Sequence, residues 1–366
     1  MTSYIPTLGT PISELETPAL VLDLDALEHN YEHIASLYAD TVCKMREHAK
    51  NVKTPAVLRK QIEAGGTVGG VCAAKVTEAE VMVEGGITDV LITSQAVTED
   101  KIAGICSMAQ AADVKVAIDD PRNVQWISEI SNRAGTDVGL VIEVNTSMNR
   151  AGIRGPDEGI TLARMATELP GVTFRGVMSH QSIAGEPDRE TRFEEGRRWM
   201  QQCIDAKRAI EDAGFPVEIV STGETFTIDV APEMPEVTEV QGGTYALMGT
   251  GSTYMEDFQF AGKILTTVVS RPDSHTAIGD VGYRALAAPG GVLPDLEGHT
   301  EVTVDSLAPD HIVLTSDGIM PLEVGDQFML LSAQQDILVN RWDQFIGIRN
   351  GVVEDVWPIL ARGCHH

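Results

Sequence analysis

The chain has 366 residues, 43% hydrophobic and 22% charged, enough to bury the core of one large domain and a smaller one. Acidic residues number 54 against 27 basic, a formal charge of −27 that repels nucleic acid and anionic membrane surfaces. Five cysteines without short paired spacing exclude a disulfide framework or zinc knuckle. With no basic-then-apolar leader and no apolar window long enough for a membrane span, they fit a soluble protein of the cytoplasm.

After a proline-rich lead-in, Ala19–Leu24 reads as a strand and the following residues as a helix with Asp23 or Asp25 for a cap. Eight short apolar runs follow. They are Cys43–Ala49, Gly69–Lys75, Asp89–Gln95, Lys115–Asp120, Val138–Asn145, Phe174–His180, Val217–Gly223 and Tyr245–Gly249. Between most of them lie amphipathic stretches such as KVTEAEVMVEGG and FEEGRRWMQQCIDAKRAIEDAG, each closing on glycine. Eight strand–helix units predict a closed (β/α)8 TIM-type barrel, and the missing G-x-G-x-x-G counts against a dinucleotide fold. From Gly262 onward, β-rich runs joined by turns predict a second, all-β domain. The expected boundaries are 26–260 for the barrel and 261–366 for the β domain, with the strand of segment 1–25 joining the latter.

In a barrel of this kind the chemistry sits where strands end. The stretch KMREHAKNVKTP gathers positive charge directly after the first barrel strand, as a solvated loop, a phosphate loop or the setting of a reactive lysine. Lys50 is the reactive candidate: among the like charges of Arg46, His48 and Lys53 its amine is disfavoured as a cation, and a neutral amine attacks carbonyls. Past the seventh strand, STGETFT offers a glycine between hydroxyls, and QGGTY leads into the eighth. These are the positions where barrels hold a phosphate on backbone N–H groups. A nucleophilic lysine opposite two phosphate loops is the combination that pyridoxal phosphate requires.

Several segments carry a family resemblance. EHAKNVKTP resembles the lysine segment of the D-threonine aldolase and D-serine dehydratase family, alanine-racemase-like pyridoxal-phosphate enzymes with a C-terminal β domain. GVCAAKVTEAEVMVEGGITDVLITSQ, EVNTSMNRAGI, STGETFT, TEVQGGTYALM, IGDVGYRALAAPGG and GIRNGVVEDVWPILARG resemble its later segments, so the likeness runs from Thr17 to Gly363. The resemblance implies that Lys50 carries pyridoxal 5′-phosphate, that Arg150 lies beside it near the phenolic oxygen, and that Ser221, Gly223, Thr225 and Tyr245 contact its phosphate or ring. It also implies a homodimer acting on a small amino-acid substrate.

The chain departs from the family where a divalent metal is expected. In QQDILVN, Asp336 matches the carboxylate ligand, but Gln334 replaces a histidine, which suits Mg²⁺ better than Mn²⁺ or Zn²⁺. Glu47, Asn51, Val52 and Ala74 also depart from the family pattern near the cofactor. His180, ending the sixth strand, is the candidate proton-transfer group, while His311 has no assigned role and His365 and His366 read as a disordered end. The expected activity is aldol cleavage of D-3-hydroxy amino acids. The alternatives are a dehydratase, a racemase, or a non-catalytic pyridoxal-phosphate carrier.

Overall fold

A computed structural model of the chain describes residues 4–183 and 185–366; Met1–Ser3, at the head of segment 1–25, and Ala184 lie outside the described residues. Two compact units divide it. One comprises Met1–Tyr31, Asn51–Thr54 and Thr244–Arg362, the other Glu32–Lys50, Pro55–Gly243 and Gly363–His366.

The chain enters through β1 (Ala19–Asp23) and α1 (Leu24–Leu37). The barrel then begins with β2 (Lys44–His48), α2 (Pro55–Ala64), β3 (Thr67–Ala73) and α3 (Val76–Glu84). It continues through β4 (Asp89–Ile92), α4 (Glu99–Met108), β5 (Asp113–Ile118), α5 (Pro121–Ala134) and β6 (Val138–Glu143). It closes with α6 (Pro156–Glu168), β7 (Val172–Met178), α7 (Arg189–Asp212), β8 (Ile219–Ser221) and β9 (Glu239–Val240). Strands β2 to β9 form a closed parallel barrel, with β9 returning to β2 through Lys44↔Glu239 and Met45↔Val240. The fold is therefore a (β/α)8 barrel of TIM type.

The eighth strand is Glu239–Val240, beginning six residues before the expected Tyr245–Gly249 run. Thr244–Leu247 instead forms the short helix α8. Tyr, Ala, Leu and Met lack the β-branching that favours extended backbone, and two glycines separate them from the strand. QGG thus follows the last strand rather than preceding it, on the C-terminal side where ligands bind.

Inside the barrel, charge occupies one end and apolar groups the middle. Arg46 is 1% exposed and bonds Glu239 (2.8 and 2.6 Å) and Asp89 (2.5 Å). Lys115, equally buried, continues the chain of contacts to Asp89 (3.0 Å) and Asp113 (2.8 Å), and Arg175 joins Asp113 to Glu218. Above this ring lies a fully buried cluster of Cys72, Leu91, Ala117, Val141 and Met178, one from each of β3 to β7. Arg175 and Met178 both face inward although three residues apart, a spacing that a regular strand sends to opposite faces. A bulge at Gly176 supplies the extra step. Its φ is +153°, and a Cβ there would lie 2.0 Å from the Ile219 carbonyl oxygen, so glycine is required.

The second unit is a mixed sheet. Its later strands are β10 (Gly262–Ser270), β11 (Thr276–Gly279), β12 (Asp295–Leu296), β13 (Val302–Leu307), β14 (Ile312–Ser316) and β15 (Gln327–Leu331). After α9 (Gln335–Val339) come β16 (Gln344–Arg349) and β17 (Val352–Pro358). The sheet order is β13-β14-β11-β10-β1-β16-β17, with β15 pairing β10 and β12. β1 lies antiparallel to β10 and parallel to β16, and its inward residues Ala19 and Val21 pack with Leu265, Ile346 and Ile348.

The end of the chain is not free. The His366 carbonyl accepts hydrogen bonds from the Thr77 N–H (3.1 Å) and hydroxyl (3.0 Å) at the first turn of α3. No helix among the described residues is long and apolar enough to cross a membrane.

Candidate active site

Lys50 stands in the single turn Ala49–Asn51 that follows β2, at the C-terminal end of the barrel. Of the positive groups expected around it, Arg46 points elsewhere, whereas His48 Nδ1 lies 3.5 Å from the Lys50 backbone nitrogen. Arg46 belongs to the ion ring at the other end, where burial works against its charge but Glu239 and Asp89 outweigh burial and hold its pKa above the usual value. Lys53 falls in the other compact unit. His48, 8% exposed, sets its Nε2 3.5 Å from the Thr93 hydroxyl, and its backbone N–H donates to the Gly242 carbonyl (2.7 Å).

The acid–base groups gather after β6 and β7, on the far side of the barrel from β2. His180 follows β7, and its carbonyl accepts the Thr146 hydroxyl (2.9 Å). Burial, then the positive charges of Lys50 and Arg150, push its pKa down to about 4, so the imidazole is neutral at pH 7. Arg150 lies in the loop after β6. Its backbone N–H donates to Asn145 Oδ1 (3.2 Å) and its guanidinium to Glu143 Oε1 (3.4 Å), while its side chain remains 53% exposed. Glu143, 4% exposed at the last position of β6, takes a second bond from Gln95 Nε2 (2.6 Å).

The loop after β8 has the shape of an anion cradle. Gly223 has φ +99°, and a Cβ on it would meet Met200 Cε at 2.9 Å and Val240 Cγ1 at 3.4 Å. Thr225 Oγ1 accepts the N–H of Gly243 (3.2 Å), which joins this loop to the glycines after β9. Ser221 is fully buried and its Oγ accepts Gln241 Nε2 (3.0 Å). A lysine, an exposed guanidinium, a neutral imidazole and a cradle that a side chain would fill make a donor set that fits pyridoxal phosphate. Tyr245 lies in the other unit, on α8, fully buried with its ring 6.3 Å from Tyr31 and 6.0 Å from Phe258.

The metal expectation finds less support. Among the described residues no three His, Cys, Asp or Glu side chains cluster as a metal group. Asp336 sits in the first turn of α9 with Oδ1 buried and without a hydrogen-bond partner, and the exposed Gln334 is the helix N-cap. One carboxylate beside one amide does not make a divalent site.

Glu143 and Glu224 carried no role in the sequence. The signal for Glu143 was present: a carboxylate ending an otherwise apolar six-residue strand. Glu224 was masked by its setting inside a glycine and hydroxyl motif.

A closed barrel with lysine, imidazole and anion cradle at one end defines an enzyme of the alanine-racemase-like pyridoxal-phosphate class. The chain belongs to the alanine racemase N-terminal domain family, whose model matches residues 22–250, and a putative serine dehydratase domain matches 261–348. It is 32% identical to a 3-hydroxy-D-aspartate aldolase of Paracoccus denitrificans (strain Pd 1222), over 98% of this chain and 95% of that one. It is 29% identical to a D-threonine aldolase of Arthrobacter sp, over 97% and 95%. The crystal structure of a D-threonine aldolase from Filomicrobium marinum matches with a TM-score of 0.94 at 30% identity, covering 99% of this chain and all of that one. Full-length similarity to aldolases in this family makes the chain a pyridoxal-phosphate-dependent carbon–carbon lyase.

Proposed function

We propose that the protein cleaves the Cα–Cβ bond of D-3-hydroxy amino acids, giving glycine and an aldehyde, or glyoxylate where the substituent is a carboxylate. One observation carries the reading. The charges of Lys50 and Arg150 both bear on the buried His180 at the C-terminal end of the barrel, in a chain similar to aldolases throughout its length.

Lys50 is the residue that would hold the cofactor covalently, and the Gly223 and Thr225 loop would hold its phosphate, with Ser221 behind it. Tyr245 is retained as a cofactor contact. When bound, the cofactor supplies an electron sink for the pair released as Cα–Cβ breaks. His180, neutral at pH 7, accepts the β-hydroxyl proton on a ring nitrogen. Arg150 would offer positive charge to a phenolate or carboxylate oxygen, and its guanidinium is bonded to Glu143. The Lys50 amino group would return a proton to Cα. No step is routed through a metal. Asp336 and Gln334, the pair expected to hold Mg²⁺ or Mn²⁺, do not by themselves fit such an ion, and they are given no part in the reaction. A homodimer and a cytoplasmic setting complete the reading.

The test is a product assay on purified protein with D- and L-threonine, phenylserine and 3-hydroxyaspartate, each with EDTA, Mg²⁺ or Mn²⁺. Aldehyde or glyoxylate from the D-substrates, abolished in Lys50→Ala, is expected. Ammonia with a 2-oxo acid would replace the aldolase by a dehydratase. Exchange of the α-proton without product would make it a racemase, and a loaded protein inert to every substrate would make it a carrier.

A further inference from the structure

A loop that is to hold an anion has a carboxyl at its centre. Glu224 directly follows Gly223, is 7% exposed, and its Oε1 accepts the N–H of Ile183 at 2.7 Å. Ile183 belongs to the strap that leaves β7 at His180 and enters α7 at Arg189. Its described residues make several other bonds. The His180 carbonyl accepts from Thr146, the Ser182 N–H donates to Ser147 Oγ (3.3 Å), and the buried Arg192 guanidinium donates to the Glu186 and Pro187 carbonyls (2.8 Å each). Among the described residues, two side-chain bonds link this segment to the loop after β8: the one from Glu224 and that of the Thr222 hydroxyl to Gln181 Oε1 (3.4 Å).

The surroundings of Glu224 offer little to stabilise a negative charge. In its own turn the carboxyl accepts the Thr227 N–H, while the Thr227 hydroxyl accepts the Glu224 backbone N–H (3.1 Å). Helix α7 presents Gly196 toward Thr227 and Met200 toward Gly223, both uncharged. The segment after β9 presents the Gly243 N–H to Thr225. The charged group that bears on Glu224 is Lys50, from the turn after β2. Burial exceeds the opposing pull of the Ile183 N–H and of Lys50 and lifts the carboxyl to about 8.

We propose that Glu224 is a positioning residue: its carboxyl ties the loop after β8 to the strap that carries His180, and it does so as a neutral acid, which leaves the loop open to a dianionic phosphate. The inference rests on the reading that this loop holds the cofactor's phosphate. A carboxylate there would repel that phosphate, so the anion is held while Glu224 keeps its proton and is released as the proton leaves. The same carboxyl fixes Ile183 and, three residues earlier in the strap, His180.

Pyridoxine 5′-phosphate isolates the effect, because it lacks the aldehyde and cannot bond Lys50. Between pH 7 and 9.5 wild type should lose about tenfold more affinity for it than Glu224→Gln does, the scale of one added like charge, since the probe's own ionisation is common to both. In the cofactor-free protein the Ile183 amide should exchange with solvent faster in Glu224→Ala than in wild type, and Glu224→Gln, which keeps an acceptor, should restore protection. In turnover Glu224→Ala should lose kcat more than it raises KM. Parallel loss of affinity in wild type and Glu224→Gln would overturn the proposal by showing that another group titrates. Equal Ile183 exchange in wild type and Glu224→Ala would overturn the strap link. Failure of wild type to bind the probe at either pH would overturn the cofactor reading itself, a result separate from both.

Discussion

Replacing Arg46 by alanine separates a structural role from a cofactor role. Arg46 makes two bonds to Glu239 and the shortest of its contacts to Asp89, from a position 1% exposed to solvent. Asp89 is 26% exposed and keeps Lys115 at 3.0 Å, so it loses little. Glu239, 6% exposed, loses its bonded cation and becomes an uncompensated buried charge. Removing one partner of such a pair costs about 3–5 kcal/mol. The cost should fall mainly on the barrel, measured by urea unfolding followed by tryptophan fluorescence and far-UV dichroism. The double substitution Arg46→Met with Glu239→Gln should recover at least half of it, because no unpaired charge is left. Cofactor affinity, scaled to the folded fraction, should stay within about twofold, since the ring lies at the end of the barrel opposite Lys50. The reasoning is refuted if Arg46→Ala unfolds within about 1 kcal/mol of wild type and loses cofactor instead.

Gly223→Ala should weaken cofactor binding at least tenfold and cost about 1–3 kcal/mol, because φ +99° is unfavourable for any side chain and the added Cβ meets Met200; unchanged affinity by fluorescence titration would remove the loop from the cofactor site. His180 gives a pH dependence with a definite sign. Its folded pKa of about 4 lies below the ordinary value of 6.5, so the unfolded chain takes the proton first and stability falls as pH drops from 6.5 toward 4. Between pH 7.5 and 5 the loss is about 2 kcal/mol, and His180→Asn should flatten that part of the wild-type profile. An unchanged slope in the variant would show that the imidazole is not held neutral by the site.

How far the sequence disclosed all this varies with the kind of interaction involved. The barrel followed from period and spacing, since eight apolar runs with helical stretches between them admit few other closures. The eighth strand was misplaced because a two-residue strand has no period to read, and the nearby apolar YALM run outweighed it. Arg46 was misassigned for a different reason. Sequence proximity to Lys50 suggested a shared charge cluster, but alternation along β2 and the register with β9 set Arg46 against Glu239, a partner 193 residues away. Glu224 and Glu143 depend on burial, which no local pattern reports for a carboxylate among glycines or at a strand end. The C-terminal histidines were read as loose because nothing adjacent in sequence shows Thr77 waiting for a carbonyl.

The position of His180 shows how closely the site depends on one irregular residue. Without the bulge at Gly176, inward-facing Arg175 would place residues 177 and 179 inside and turn His180 toward the helices. Val177 and Ser179 would then face the apolar cluster and the mouth, and Met178 would leave the core in which it is fully buried. The extra residue lets one strand serve two layers of opposite character, an arginine for the ion ring below and an imidazole for the mouth above. The ring satisfies its own charges, so the groups left to act on a ligand are those above the apolar cluster. There the imidazole is neutral, and Glu224 keeps its proton at pH 7. A protonated Glu224 removes one negative charge from that end, where Lys50 and Arg150 supply positive ones, and an anionic cofactor can bind in a chain whose net charge is −27.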